Sequence, residues 1–354
     1  MREKLPSDLE RLLEIAIKKE ATDLHLIAFS PPILRITRSL YFLKEEKTIS
    51  PQDTENFAFS LLNPFQKEIF LKEKEIDFSF DFKNTRFRTN IFYQKGTVSL
   101  ALRLLPSEIK TLSQLNLPQI LLRFTEIKQG FVLICGPSSH GKSTTLAALL
   151  EEINKKDCRH IITIEDPIEY LFQSKKSIIE QREVGSDTKS FIRALKSVFR
   201  QDPDVIMIGE MRDSETMSIA LRAAETGHLV FATLHTNSAA QTITRIVDSF
   251  PANQQPQIRS QIAGSLFGIV SLRLIPTLKG GLIPACEVLF NTSAVSNLIR
   301  ENKIHEIPNV IETSSKLGMI SLERYLANLV KKEIISKENA LKYSLSPELL
   351  QEML

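Results

Sequence analysis

The sequence predicts an α/β protein of two domains: an N-terminal α+β module, then a core of alternating strands and helices with C-terminal helices. Three observations predict it. Gly136-Pro137-Ser138-Ser139-His140-Gly141-Lys142-Ser143 is a complete phosphate-binding loop, G-x-x-x-x-G-K-S. Downstream of it, apolar strands alternate with helical stretches, the pattern of a sheet with helices on its faces. Upstream, short strands with interposed helices carry no such loop.

In the first 105 or so residues, Leu9 to Lys19 predicts an amphipathic helix with Leu9, Leu12, Leu13, Ala16 and Ile17 on one face. Strand-like runs follow at Asp23 to Ile27, Ile33 to Thr37 and Leu40 to Leu43. Helical stretches cover Pro51 to Leu62 and Pro64 to Lys72, and three more strands cover Asp77 to Asp81, Arg86 to Tyr93 and Val98 to Leu104. The polar, proline-flanked stretch from Pro106 to about Leu117 reads as a linker. From 118 on, strands are expected at Phe131–Cys135, Ile161–Glu165, Val205–Ile208 and Leu229–Thr233. From Pro251 the pattern reads as mostly helical, with Ala285–Leu289 as one late strand.

The loop sits between the buried strand Phe131–Cys135 and a helix beginning near Thr144, the context its chemistry needs. Backbone N–H groups wrap phosphate oxygens, and the helix N-terminus adds partial positive charge. Gly136, Pro137, Ser138, Ser139, His140, Gly141, Lys142, Ser143 and Thr144 are therefore candidate contacts to a nucleoside triphosphate. Lys142 reaches the β/γ-phosphates, and the Ser143 hydroxyl is a ligand for Mg²⁺. Each of the four core strands carries a polar residue at or just past its C-terminal end: the loop, Glu165/Asp166, Glu210 and His235. Ligands of open α/β sheets bind at those ends.

Asp204–Glu210 is apolar and ends in a carboxylate, fitting a Mg²⁺ holder at Glu210 or a buried strand ending in a surface acid. Ile164–Glu169 packs three carboxylates behind a strand that Pro167 turns, either a site or a solvated acidic turn. His228 and His235 bracket the last core strand and read as structural or as contacts to phosphate or the neighbouring domain. In Arg86–Phe92, Arg86, Arg88 and Asn90 share one face and Phe87 and Ile91 the other. That face is either simply wet or an arginine surface offered to the phosphates of a neighbouring site.

A chain of 354 residues with 42% hydrophobic and 25% charged residues is ordinary globular material. The net charge of +3 gives no bulk drive toward nucleic acid, and none is expected as a direct partner. Cys135, Cys158 and Cys286 are isolated, which points to a reducing compartment rather than a disulfide frame or zinc site. No apolar run approaches membrane-spanning length and no signal peptide is evident, so a soluble cytoplasmic protein is expected.

Taken in order, these motifs resemble the secretion ATPase superfamily, most closely its PilT branch of type IV pilus retraction motors. Ala21–Leu26 with Pro31–Arg35 resembles the start of that family's PAS-like N-terminal domain. Ile162–Tyr170 resembles its aspartate box, Gly209–Asp213 its atypical Walker B, and Ala224–His228 through Thr236 its histidine box. The resemblance implies a RecA-like core, a PAS-like domain over 1–105, a linker over 106–117 and an ATPase domain over 118–354. It also implies a homohexamer with nucleotide between the two domains, an inner-membrane platform protein as partner, and a place at the cytoplasmic face of that membrane. It gives Glu169 the role of catalytic base, Glu210 a share of the Mg²⁺, and Arg88 and Arg103 contact with a γ-phosphate across a subunit interface. Glu165 and His235 fall within the motif boxes as further candidate catalytic residues.

The chain departs from the pattern at Ser139-His140, where retraction motors usually have Gly-Ser. Ala294–Glu301 resembles the A-I-R-N-L-I-R-E retraction motif, with Ser296 in place of its first arginine. The expected function is ATP-driven pilus retraction. Alternatives are an accessory ring that modulates another motor, a type II or type IV secretion ATPase, which the missing C-x-x-C pairs or the retraction-like segment oppose, and a nucleic-acid translocase.

Overall fold

The computed structural model describes residues 5–36, 39–83, 85–105 and 108–354. The chain divides into two compact units, Met1–Glu108 with Pro167–Leu171, and Ile109–Asp166 with Phe172–Leu354. Thr37, expected to end a strand, and Pro106 and Ser107, expected to open the linker, lie outside the described residues.

The first unit is built on a six-stranded antiparallel sheet. Its strands are β1 (Asp23–Ile27), β2 (Ile33–Ile36), β3 (Ser39–Phe42), β4 (Glu75–Phe82), β5 (Thr85–Gln94) and β6 (Thr97–Leu105), in the order β3-β2-β1-β6-β5-β4. Three helices, Ser7–Lys18, Pro51–Leu61 and Pro64–Glu73, complete it. The second starts where Ser50 and Asp53 form a capping box, the third where Asn63 and Gln66 form another, each with proline at the first helical position. Alternation decides the faces. Leu24, Leu26, Phe87, Ile91, Leu100 and Leu102 are buried with Leu9, Leu13, Phe57 and Leu61 in one core. His25, Arg88 and Asn90, offset by one position, point the other way.

The second unit holds a seven-stranded sheet: β7 (Gly130–Cys135), β8 (His160–Glu165), β9 (Ile178–Glu183), β10 (Val205–Ile208), β11 (Leu229–Leu234), β12 (Leu266–Pro276) and β13 (Leu282–Phe290). The order is β13-β12-β7-β11-β10-β8-β9, parallel throughout except for β13. Strands β7, β10 and β11 are buried along their full length, as expected where both faces of a parallel sheet are covered. The C-terminal ends of β7, β8, β10 and β11 lie along one edge of the sheet.

Two strands depart from the sequence expectation. Helices predominate after Pro251 as expected, but the late strand does not stand alone there: β12 runs for 11 residues beside β7. Helix Gln255–Ser265 passes directly into β12 at Leu266, with no intervening turn. Strand β9, Ile-Ile-Glu-Gln-Arg-Glu, is polar because it is an edge strand. Further along, helices Leu322–Lys331, Lys337–Tyr343 and Pro347–Met353 enclose a small satellite core with Ile275, Ile283 and Ala285. Leu112 and Leu117, in the stretch read as linker, are buried in the main core of this unit. Among the described residues, no helix is long and apolar enough to cross a membrane.

Candidate nucleotide site

Strand β7 delivers the chain to Gly136, which takes φ 147°, and a Cβ there would lie 2.5 Å from the carbonyl oxygen of Leu272 on β12. Only glycine fits this approach. Helix Lys142–Lys156 follows, with Gly141 at its N-cap in the left-handed region. Lys142 is buried, and its Nζ donates to the carbonyls of Gly136 at 2.8 Å and Pro137 at 2.9 Å. A buried ammonium on carbonyls at a helix N-terminus fits an anionic group, since both fields attract it. Ser143 and Thr144 are half-buried on the first turn, and Ser138 and Ser139 are exposed.

The two departures in the loop have structural counterparts. Ser139 adopts φ 62°, the left-handed conformation glycine takes most easily. His140 accepts a hydrogen bond at Nδ1 from the backbone N–H of Leu274, 2.9 Å away, tying the loop to β12.

Around the loop the structure assembles His235, Glu210, Arg212 and Asp166. His235 Nδ1 lies 3.3 Å from Ser138 Oγ and 3.5 Å from Lys142 Nζ, and its Nε2 lies 3.6 Å from Glu210 Oε2. Burial, and then the Lys142 cation, push the imidazole below the usual histidine range. The Glu210 carboxylate pairs with Arg212, whose other nitrogen is 3.9 Å from Asp166. Glu165 is buried and pinned by Thr163 Oγ1 at 2.6 Å and Gln181 Nε2 at 3.1 Å. His228 is taken up structurally: its Nδ1 lies 3.0 Å from the Ala223 carbonyl and its ring packs edge-on against Phe199.

In the first unit, cross-strand register sets Ser79, Arg88, Arg103, Asp23 and Arg35 in one row across five strands. Residues in register on neighbouring strands share a face, so three guanidinium groups crowd together there. Asp23 compensates two of them: Arg103 Nε is 2.8 Å and Arg35 Nε 3.8 Å from its carboxylate. Arg88 makes no ion pair among the described residues and is half-buried. Glu169 belongs to the segment Pro167–Leu171, which groups with this unit, where Arg86 Nε donates to the Ile168 carbonyl at 3.2 Å.

Sequence reasoning missed several of these residues. Asp23 and the row it anchors become visible only with the register. Thr163 lies inside the aspartate-box-like segment without a role read for it, and Gln181 and the Leu274 amide lie outside every motif. Arg212 lies inside the Walker B-like segment and, as a cation two residues after an acid, was the one legible signal.

The family model for type II/IV secretion system proteins matches residues 3–340. The chain belongs to this family. It is 42% identical over 342 residues to the type IV pilus retraction ATPase PilT of Pseudomonas aeruginosa, covering 96% of this chain and 99% of that protein. It is 44% identical over 316 residues to a twitching motility protein of Neisseria gonorrhoeae, covering 89% and 84%. The crystal structure of the pilus retraction motor PilT with bound ADP superimposes with a TM-score of 0.92 at 45% identity, covering 99% of this chain and 100% of that one. Members of the type II/IV secretion family thus share this α/β fold, with a RecA-like core, across the whole chain.

Proposed function

We propose that this chain hydrolyses ATP and works as a homohexameric motor of type IV pilus retraction, acting on a membrane platform protein from the cytoplasmic face of the inner membrane. The observation that carries the reading is the buried Lys142 ammonium at the mouth of the loop, with His235 and Glu210 converging on it. The near-full-length likeness to a retraction ATPase supports the pilus assignment. On this reading the PAS-like domain is 1–105, the linker 106–117 and the ATPase domain 118–354.

The loop amides and Lys142 hold the β- and γ-phosphates. A hydroxyl at Ser143 and a carboxylate at Glu210 are hard oxygen donors suited to Mg²⁺, which neutralises charge on the phosphate oxygens when bound. Glu169 takes the proton of the attacking water. His235 stays neutral and reports the state of the phosphate loop to β11. Arg88 and Arg103 act on the nucleotide of an adjacent subunit. An accessory ring is the second reading, favoured by Ser296. Its Oγ lies 2.9 Å from the Ala263 carbonyl and 3.0 Å from Asn291 Oδ1, where the retraction motif has arginine.

The test compares binding with turnover. Lys142→Ala is expected to lose both. Glu169→Gln is expected to bind ATP normally while turnover falls by about two orders of magnitude or more. Normal turnover in Glu169→Gln beside a dead Glu165→Gln would move the base to Glu165. Unchanged pilus retraction after deletion of the gene would favour the accessory ring.

A further inference from the structure

The loop that carries His235 rests on a row of polar side chains that the proposed chemistry does not use. Cys135 on β7, Ser271 on β12 and Glu287 on β13 are in register with one another and so share a face. Each meets the stretch immediately after His235. Ser271 Oγ donates to the Asn237 carbonyl at 3.0 Å, Cys135 Sγ lies 3.9 Å from the Ser238 carbonyl, and Glu287 Oε1 accepts from the Ala239 N–H at 2.7 Å. Thr242 ties the same turn from the helix side, bonding the Ser238 carbonyl at 2.8 Å and Thr236 Oγ1 at 2.6 Å. All three members of the row are buried.

Glu287 is the chemically unusual member. A carboxyl group buried on the edge strand of an apolar sheet is costly unless it has a task. It accepts from the first N–H of helix Ala239–Asp248, a group that otherwise has no intrahelical acceptor. The helix therefore starts where Glu287 holds it. The four residues between that anchor and β11 are His235, Thr236, Asn237 and Ser238.

We propose that Glu287 is a positioning residue for His235: by fixing the start of helix Ala239–Asp248 it sets where the imidazole meets Ser138, Lys142 and Glu210. The inference rests on the reading of this site as the ATP site. The charged and titratable groups near Glu287 are Arg273 on β12, Glu323 on helix Leu322–Lys331 and the Cys135 thiol on its own face, with the Cys286 thiol next along β13 on the opposite face. Burial, with Glu323 adding to it, raises the Glu287 carboxyl to about 7, so the acid form holds the amide at neutral pH and below. The Ala239 N–H opposes that rise, because it bonds the ionised form better than the acid, so the anchor holds in either state.

The experiment uses the full-length chain. Hydrogen exchange of the nucleotide-free protein is read for the segment 235–240, beside kcat, KM and thermal midpoint, for Glu287→Ala, Glu287→Gln, His235→Ala and the double variant His235→Ala/Glu287→Ala. Glu287→Ala is expected to speed exchange in 235–240 at least ten-fold, with the strands β7 and β11 unchanged, and to lower kcat about ten-fold with KM within two-fold. In the His235→Ala background the same change is expected to cost less than two-fold in kcat, because the two residues act as one unit. Glu287→Gln keeps an acceptor oxygen, so exchange in 235–240 stays slow and kcat stays within about two-fold of wild type. Equal kcat losses from Glu287→Ala with and without His235, or unchanged exchange in 235–240, would overturn the proposal. If Glu287→Ala does not fold, Glu287→Leu, which fills the site without an acceptor, takes its place, and unchanged exchange in 235–240 in that variant overturns the proposal. A wild-type chain with no ATPase activity overturns the reading of the site itself, which the exchange data distinguish from failure of the anchor.

Discussion

Two titratable groups of the second unit tilt the stability of this protein in opposite directions with pH. Glu287 is raised from 4.5 to about 7, chiefly by burial. Below 4.5 the group is neutral in both states and carries no penalty. As pH climbs toward 7 the unfolded chain releases its proton and the folded chain keeps it, so stability falls. A shift of that size corresponds to at most about 3 kcal/mol, complete above pH 7. His235 is lowered by burial and by Lys142, so the unfolded chain takes up a proton first as pH falls through the ordinary histidine range. Its contribution is lost toward acid. The expected outcome for Glu287→Gln is a thermal midpoint close to wild type at pH 5 and several degrees above it at pH 8. A gain of the same size at both values would show that the effect is packing rather than ionisation. Arg273, whose buried Nε has no hydrogen-bond partner among the described residues, faces Glu287 and limits the rise.

Helix Ser293–Arg300 shows how an element divides its residues between fold and work. Val295 and Ile299 are fully buried, whereas Leu298 is half-buried and Arg300 is exposed, 3.2 Å from Asn297 Oδ1. Ile299 and Leu298 look alike in sequence, yet only the first is core. Ile299→Ala is expected to cost about 2–5 kcal/mol, seen as a marked drop in thermal midpoint. Arg300→Ala is expected to leave the midpoint and ATPase rate close to wild type while abolishing pilus retraction in cells. Retraction at wild-type speed in a strain with no other retraction ATPase would remove this helix from the coupling path. The same contrast marks how far the sequence could be read. Strands β7, β8, β10 and β11 were legible because an apolar run flanked by helices has few other solutions, and the motif residues follow from their ends. Strand β9 was hidden because an edge strand tolerates Glu and Arg. β12 was hidden because it continues a helix without a turn; at its bulge, Gly268 lets the strand pass where a Cβ would lie 2.5 Å from the Leu289 carbonyl. The row Arg88–Arg103–Asp23 depends on register, which no single strand encodes. Glu287 reads as a lone acid in the apolar run Ala-Cys-Glu-Val-Leu-Phe, and only its burial over the His235 loop gives it meaning.

At the scale of the molecule, the residues proposed to act on the nucleotide are divided between the two units. Arg88, Arg103 and Glu169 belong to the first unit, and Lys142, Glu210 and His235 to the second. Three arginines against one aspartate leave the row in the first unit with excess positive charge, suited to a polyphosphate. On the proposed reading that charge serves the nucleotide of a neighbouring subunit. An arginine supplied in trans contributes roughly three to five orders of magnitude in rate. Arg88→Ala should therefore be nearly inactive while binding ATP normally, because its own loop is intact. Lys142→Ala should be inactive for the opposite reason. Mixed into one ring, the two defects complement: an Arg88→Ala subunit supplies Lys142, and an adjacent Lys142→Ala subunit supplies Arg88. Random assembly of equal amounts into a closed ring gives up to about a quarter of interfaces with both groups intact. ATPase activity should rise from near zero to a maximum at equal proportions and fall again on either side. The measurement is a mixing series at constant total protein, with subunit exchange followed by a fluorescent label. Action within one subunit predicts a flat line, since each chain then carries its own defect wherever it sits. A flat line with exchange demonstrated therefore returns Arg88 to the role of a solvated sheet residue.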